Sequence, residues 1–379
     1  MRLEQCRWRE PGGWEGSPPG ELGERAGLVL VFGATAVLER PEPLAAVRRA
    51  WPRAEVLGCS TAGEILGTEV TDGTLTATAV EFASTGVRAV WTELQAAGQS
   101  AATGARLAER LAGEQLVHVL VLSEGITVNG SELVRGLRER LPEQVSVTGG
   151  LAGDGERFGR TLVVCGGTVR PQAVAAVGLY GERLRVGYGS LGGWDPFGPE
   201  RTITRAEGNV LYELDHRPAL ELYRRYLGEY AAGLPATALL FPLTVQAEDG
   251  TGWLVRTVLQ IDERSGGMVF AGDMPLGARC RLMKANFDRL VDGALGAASR
   301  TQQSLGAMRA GLAVLISCVG RKMVLRQRIE EEVEAVREVL GSQAALTGFY
   351  SYGELSPLLP RARCELHNQT MTITAFAER

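Results

Sequence analysis

Long apolar runs are missing from this chain. No stretch approaches the ~20 apolar residues that a membrane-spanning helix needs, so a helical membrane protein is excluded and no membrane partner is expected. The opening Met1-Arg2-Leu3-Glu4-Gln5-Cys6-Arg7-Trp8 has no apolar core of a secretory signal. Six cysteines lie far apart with no Cys-x-x-Cys pair. They read as free thiols in a reducing cytoplasm, not as a disulfide framework or a zinc site, and no metal or cofactor is expected. Lys and Arg are scattered and the net charge is −4, so there is no basic stripe for nucleic acid. No His-Glu-x-x-His, EF-hand loop or Gly-x-Ser-x-Gly occurs. The glycine-rich run Gly149–Gly155 lacks the Gly-Lys-Ser/Thr end of a P-loop and the G-x-G-x-x-G order of a dinucleotide fold. It reads as a tight turn that needs positive φ.

What is present is a repetition. Gly58-Cys59-Ser60-Thr61-Ala62-Gly63-Glu64-Ile65 near the start is answered by Gly348-Phe349-Tyr350-Ser351-Tyr352-Gly353-Glu354-Leu355 near the end. Both octets follow a short apolar run and lead into a Thr-rich alternating strand. A Gly-acid pair there places a carboxylate at the rim of a sheet, where ligands sit in α/β architectures. The unit strand, helix, strand ending in Gly-acid, strand recurs around Gly63-Glu64, Gly153-Asp154 and Gly353-Glu354, with a degenerate fourth around Met268–Asp273. The expected fold is α/β with mixed sheets: two related domains of such units facing each other across a cleft. Residues 1–25 read as a loose lead-in, 26–231 as the first domain and 232–379 as the second. Leu234-Pro235 and the turn Glu248-Asp249-Gly250 bracket that boundary. Helices are expected over Asn209–Tyr226, Leu282–Ala298 and Arg326–Leu340. In the last, Ile329, Val333, Val336 and Leu340 form one apolar stripe, and Glu330, Glu331 and Glu332 cluster towards the N-terminus.

Candidate chemistry gathers at the Gly-acid turns. Cys59, beside Ser60 and Thr61, is a possible nucleophile if a base lowers its thiol pKa, and also a possible small core residue. Of the three histidines, His118 lies inside a strand run and His216 follows Asp215 at a bend. His367, next to Asn368, is the one partner a Cys-His-Asn arrangement would use. Arg321, at the end of the run Ser317–Arg321, suits a ligand carboxylate or phosphate, or a structural acid such as Glu354. Tyr350 and Tyr352 alternate on a strand and should share one face. Trp194, in the loop Gly192–Gly198, either caps a cleft or anchors the loop.

Taken together, Gly58–Ile65, Gly150–Gly155, Gly193-Trp194, Gly208-Asn209 with Tyr212-Glu213-Leu214, Ser317–Arg321, Gly348–Leu355 and His367-Asn368-Gln369-Thr370 resemble the FIST family in order. They span roughly residues 27 to 377. The resemblance implies tandem FIST N and FIST C sensory domains in an intracellular signal-sensing protein that binds small ligands such as amino acids. In bacteria such domains are often attached to kinase, cyclase or chemotaxis output domains, and in eukaryotes to an F-box. No residues are left here for an output domain, and 1–25 are too few for an F-box. The expected output is therefore a separately encoded signalling partner such as a kinase, cyclase or chemotaxis component.

Three readings stay open at this level. The first is a non-enzymatic binding module. Arg321 would clamp a carboxylate, Glu64 or Glu354 would hold an ammonium group, and Tyr350 and Tyr352 would line the walls. Cys59, Ser60, Thr61, Asp154, Trp194, His367 and Asn368 complete that candidate site. The second is an enzyme using Cys59 as nucleophile. The third is an assembly protein with no ligand, docking through an edge strand. Oligomeric state is left undetermined.

Overall fold

A computed structural model describes residues 1–16, 18–234, 236–246, 252–357 and 363–379. Its body is one unit used three times: a leading strand, a first strand, a helix, a second strand, a hairpin and a last strand. Unit one runs through Arg2–Arg9, Leu28–Gly33, helix Pro41–Ala50, Glu55–Ser60, the hairpin Glu64–Leu66 with Glu69–Thr71, and Thr74–Glu81. Unit two runs through Gly86–Glu93, Leu116–Ser123, helix Gly130–Arg140, Ser146–Leu151, the hairpin Val163–Cys165 with Thr168–Arg170, and Ala173–Tyr180. Unit three runs through Leu184–Leu191, Leu312–Cys318, helix Ile329–Leu340, Ala345–Ser351, the hairpin Gly353–Pro357 with Cys364–His367, and Met371–Glu378.

In each unit the first and second strands are parallel, joined by the crossover helix. The last strand returns antiparallel to the first, and the leading strand lies outside it. Each hairpin leaves its own unit. Glu64–Leu66 pairs with the second strand of unit three, Gly353–Pro357 with that of unit two, and Val163–Cys165 with that of unit one. The three sheets are thereby mixed, and each is completed by a neighbour.

The sequence dictates this packing locally. The first strands are apolar on both faces, as in sheets covered on two sides. Their inner faces meet in a shared core that includes Leu30, Leu122, Ile316 and Phe349, with Phe32 and Phe349 stacked at 4.8 Å. Their outer faces take the helix stripes, Leu44 and Val47 in unit one, Leu133 and Leu137 in unit two, Val333 and Val336 in unit three. Asn129 caps the unit-two helix by accepting from Glu132 N. One residue in the left-handed region redirects each chain into its last strand: Gly73 at φ +71°, Gln172 at +49° and Gln369 at +61°.

Between Leu184–Leu191 and helix Phe287–Leu305 the chain inserts a mostly β segment, Asp195–Glu207 through Arg279–Lys284, which among the described residues holds one α-helix, Ala219–Leu227. It has its own core, including Ile203, Leu211, Tyr223 and Phe270.

The α/β class, the mixed sheets and the repeated units agree with the sequence expectation; several details differ. The two halves share sheets through the crossed hairpins instead of facing each other across an open cleft. Residues 1–25 are not a loose lead-in: Arg2–Arg9 pairs residue for residue with Thr74–Glu81. Position 232 falls inside the insert, whose core draws on both Leu227 and Ala238. Pro235 and the turn at 248–250 lie outside the described residues. Asn209–Tyr226 is not one helix, because Val210–Leu214 is a strand of alternating β-formers and the helix starts only after Pro218. Arg279–Lys284 is likewise a strand, and the following helix begins after the Asn286 cap. The expected helix Arg326–Leu340 begins at Ile329, since Arg326 sits at φ +49° and ends a shorter helix, Val319–Leu325. Met268–Asp273 belongs to the insert and is no fourth unit.

Candidate functional site

The carboxyl ends of the three second strands converge on one junction. Tyr350 N donates to Gly63 O at 2.8 Å and Ala62 N to Tyr350 O at 2.8 Å. Gly153 N donates to Ser60 O at 2.9 Å and Tyr352 N to Leu151 O at 3.2 Å. The approach is close enough that a Cβ on Gly153 would lie 2.7 Å from Ala62 N. All three Gly-acid turns therefore reach the same place.

Two of the acids are held alike. The Glu64 carboxylate accepts from Thr61 Oγ1, from Thr74 N at 3.0 Å and from Thr74 Oγ1 at 2.7 Å. The Glu354 carboxylate accepts from Ser351 Oγ at 2.6 Å, from Thr370 N at 3.2 Å and from Thr370 Oγ1 at 2.9 Å. Each latch joins a hydroxyl three residues before the acid to the threonine that follows the left-handed residue. Burial raises the Glu64 carboxyl to about 7 and the Glu354 carboxyl to about 8, against the hydrogen bonds that favour ionisation.

Asp154 is held differently. It stands nine residues before its hairpin strand, and Leu151 occupies the place of the latch hydroxyl. Its carboxylate accepts from Thr35 Oγ1 at 2.8 Å, Arg157 Nε at 3.1 Å and Arg160 N at 3.2 Å. Burial works to raise its pKa, but these donors outweigh it and hold the carboxyl below its usual value. The Arg157 side chain is 66% exposed. Beside it, the Tyr352 ring stacks on Phe158 at 4.3 Å, while its hydroxyl accepts from Asp154 N and donates to Gly155 O. Arg157 and Phe158, with the buried Asp154 and Tyr352 behind them, form the rim of the junction.

The remaining expected site residues are placed as follows. Arg321 and Glu332 form an ion pair with both side chains 0% exposed. Arg321 Nε and Nη2 reach Glu332 at 3.0 and 2.7 Å, Nη2 also reaches Leu290 O, and Nη1 donates to Gly192 O. Its partner is thus neither a ligand nor Glu354; every guanidinium nitrogen is engaged and the side chain is fully buried, so it presents no fork to a ligand carboxylate. Glu332 also accepts from Ser317 Oγ and Tyr350 OH, so the Tyr350 ring is core, not wall. Tyr350 and Tyr352 serve two separate networks instead of one open face. Cys59 is fully buried in the shared inner core, and burial pushes its thiol well above the ordinary value, away from a nucleophilic thiolate. His367 is spent elsewhere: Nε2 bonds Ser356 O at 2.8 Å, and burial lowers its pKa to about 4. Ser60 bridges Gly153 O and Leu162 N. Asn368 spans Thr257 N and Tyr352 O. Trp194 anchors its loop, Nε1 donating to Gln369 O at 2.8 Å.

Several junction residues escaped the sequence reading. By sequence Glu332 groups with Glu330 and Glu331 as an acid facing the helix dipole. Its place three residues after Ile329 and four before Val336 puts it on the buried stripe, and that spacing was the available signal. Thr74 opens, and Thr370 immediately precedes, the Thr-rich last strand that follows each acid. Lys322, which bonds Ala62 O and Asp72, gave no signal at all.

Comparison with known proteins follows the same layout. The FIST N domain matches residues 27–217 and the FIST C domain residues 219–357. An uncharacterized protein of Mycobacterium tuberculosis, found in strains CDC 1551 / Oshkosh and ATCC 25618 / H37Rv, is 26% identical over 270 residues, 68% of each chain. The crystal structure of cyanuric acid hydrolase from A. caulinodans aligns over 78% of this chain and 99% of its own, at 12% identity and a TM-score of 0.18, a level from which nothing is inferred. No helix among the described residues is long and apolar enough to cross a membrane. With both domains matched in tandem over most of its length, the chain belongs to the FIST family of signal-transduction sensory domains.

Proposed function

We propose that this protein is a cytoplasmic, non-enzymatic sensor that binds a small amine- or carboxylate-bearing ligand, such as an amino acid, at the rim of the junction. It reports to a separately encoded signalling protein of the kinase, cyclase or chemotaxis kind. The carrying observation is the exception among the three acids. Asp154 is held by an exposed arginine that a ligand can displace, whereas Glu64 and Glu354 are sealed by buried hydroxyls. A ligand ammonium would take over Asp154, its carboxylate would take Arg157, and the Tyr352–Phe158 stack would lie against its side chain. The buried, protonated state of Cys59 speaks against the cysteine-dependent reading.

The test is a thermal-shift screen of the full chain against amino acids, small carboxylates and polyamines. A ligand at 100 times its dissociation constant adds about 2.7 kcal/mol to stability. One chemical class should stabilise the wild type and lose its effect on Asp154→Asn. Stabilisation that survives Asp154→Asn and Arg157→Gln together would remove the rim from the proposal. A flat screen would leave the partner-docking reading in its place.

A further inference from the structure

Unit two leaves the outer edge of its leading strand open. Gly86–Glu93 is the terminal strand of its six-stranded sheet, and among the described residues no strand pairs with its outer side. In unit one the same edge is closed at one end by Gly13–Trp14. The residue just beyond the strand fixes the direction of the backbone groups: Leu94 N donates inward to Gln172 O at 2.8 Å. These groups alternate along an antiparallel strand. Thr92, Val90 and Arg88 therefore also face inward, and Glu93, Trp91, Ala89 and Val87 present their N–H and C=O groups outward. Such a row is a template for a further strand.

Three arginines stand around that edge. Helix Ser100–Leu111 covers one face of the strand, where Val90 packs with Leu107 and Leu111. From this face Arg110 Nη1 donates to the outward Trp91 O at 2.6 Å. Arg88, on the same face, lies over the Tyr180 ring and donates to Arg110 O at 3.3 Å. From the other face Arg170 lies over the Trp91 ring, its guanidinium carbon 3.6 Å from the ring centre. Its buried Nε has no partner, and an unpaired buried N–H in a native structure calls for one. Among the described residues none of the three arginines pairs with an acid. Glu93, at the end of the strand, accepts from Gln95 Nε2 instead. A single capping arginine is an ordinary guard of an open edge, and Arg300 on Ser190 O does the same for Leu184–Leu191 in unit three. Unit two has cations on both faces of the strand, with an aromatic ring under two of them.

The structure assigns this edge to the signalling partner: it docks an extended acidic segment of that protein as one more strand of the sheet. The assignment rests on the proposal above that a separate protein carries the output. The segment's backbone pairs with the outward groups of Val87, Ala89, Trp91 and Glu93, displacing Arg110 from Trp91 O. Side chains of an added strand alternate between the two faces. Two adjacent acids therefore reach both: one meets Arg88 and Arg110, the other Arg170. Glu93 repels an acid placed at its own end and so shifts the register towards Arg88. A second copy of this chain would bring the same arginines to the seam, which like charge disfavours. The row of peptide groups selects a polypeptide over a polyanion that has none, such as nucleic acid.

Fluorescence anisotropy with the full-length protein and labelled synthetic peptides tests this. The probes are the strand-forming TVTDETVT, its charge-reversed form TVTKKTVT, and TVPDEPVT, which has the same charge but cannot extend a ladder on either edge. The expected result is saturable binding of TVTDETVT, weaker at high salt, and none of the other two. Arg110→Gln and Arg170→Gln should each weaken it roughly two- to fivefold, the worth of an exposed ion pair. Ala89→Pro removes an outward N–H only, so it should abolish binding and keep the sheet. No binding of TVTDETVT, equal binding of TVPDEPVT, or unchanged affinity in both arginine variants would overturn the assignment. Displacement of the peptide by single-stranded oligothymidylate, or a wild-type dimer that Ala89→Pro dissolves, would give the edge to another occupant and overturn it too. Asp154→Asn should leave TVTDETVT binding unchanged, so a failure at the edge and a failure at the rim are read separately.

Discussion

Glu354 and Asp154 occupy the same repeated turn and answer to different surroundings. Glu354 is sealed by Ser351 and Thr370, with burial keeping its proton near neutral pH. Asp154, in the unit where leucine replaces the hydroxyl and the chain is extended before the hairpin, stays ionised on donors that face solvent. Three copies of one turn have thus been divided into two latches sealed by buried hydroxyls and one carboxylate held by an exposed arginine. The lesson is that a repeated motif marks the framework, and the copy that departs from it marks the place where something else is asked of the chain.

The comparison can be broken hardest on the sealed side. Glu332→Ala leaves Arg321 charged and buried with no counter-ion, and is expected to cost about 3–5 kcal/mol in urea unfolding. A loss under about 1 kcal/mol would mean that water reaches the pair. Next, Thr370→Val removes the Oγ1 contact to Glu354, keeps the backbone N–H, and leaves a buried carboxyl oxygen under-satisfied, at about 1–3 kcal/mol. Thr35→Val, the matching change beside Asp154, should cost clearly less because Arg157 and Arg160 remain.

A pH titration sharpens the contrast further. Glu64 and Glu354 have folded pKa values raised from the ordinary 4.5 to about 7 and about 8. The folded state therefore keeps protons that the unfolded chain releases. Their contribution to stability is complete below about pH 4.5 and is lost as pH rises through 7 and 8. Glu354→Gln should flatten stability across that window, as read by melting temperature against pH. Asp154 has the opposite sign: its contribution is present above the ordinary carboxyl range and lost on acidification, so Asp154→Asn should leave the pH 5–8 profile unchanged. The smallest effect is expected from Arg157→Gln, whose side chain is exposed to water and screened, so that its pair is worth under about 1 kcal/mol. Its readout is ligand response, with stability as the control.

Much of the body is legible in the sequence. Apolar runs bounded by turns located the first and second strands, and the stripe Ile329, Val333, Val336, Leu340 located the last crossover helix. The Gly-acid octets led to the junction itself. What stayed hidden was non-local. Nothing in Glu64-Ile65-Leu66 says that these residues complete a sheet almost three hundred positions away. The insert was misread because its strands are short and irregular, and Asn209–Tyr226 has enough helix formers to pass for one element. For Arg321 the sequence leaves a ligand and a structural acid such as Glu354 open; it pairs with a structural acid, but with Glu332, which is hidden in the sequence because the neighbouring acids of its helix face water.

The crossed hairpins have a consequence for how the molecule comes apart. Unit one completes the sheet of unit three, unit three that of unit two, and unit two that of unit one. A closed ring has no terminal link from which to fray. The body should therefore melt in calorimetry as a single cooperative transition, although two family domains can be drawn along the chain. A fragment ending at residue 217 would expose the free edges of Glu64–Leu66 and Ser146–Leu151, and is expected to aggregate instead of folding on its own.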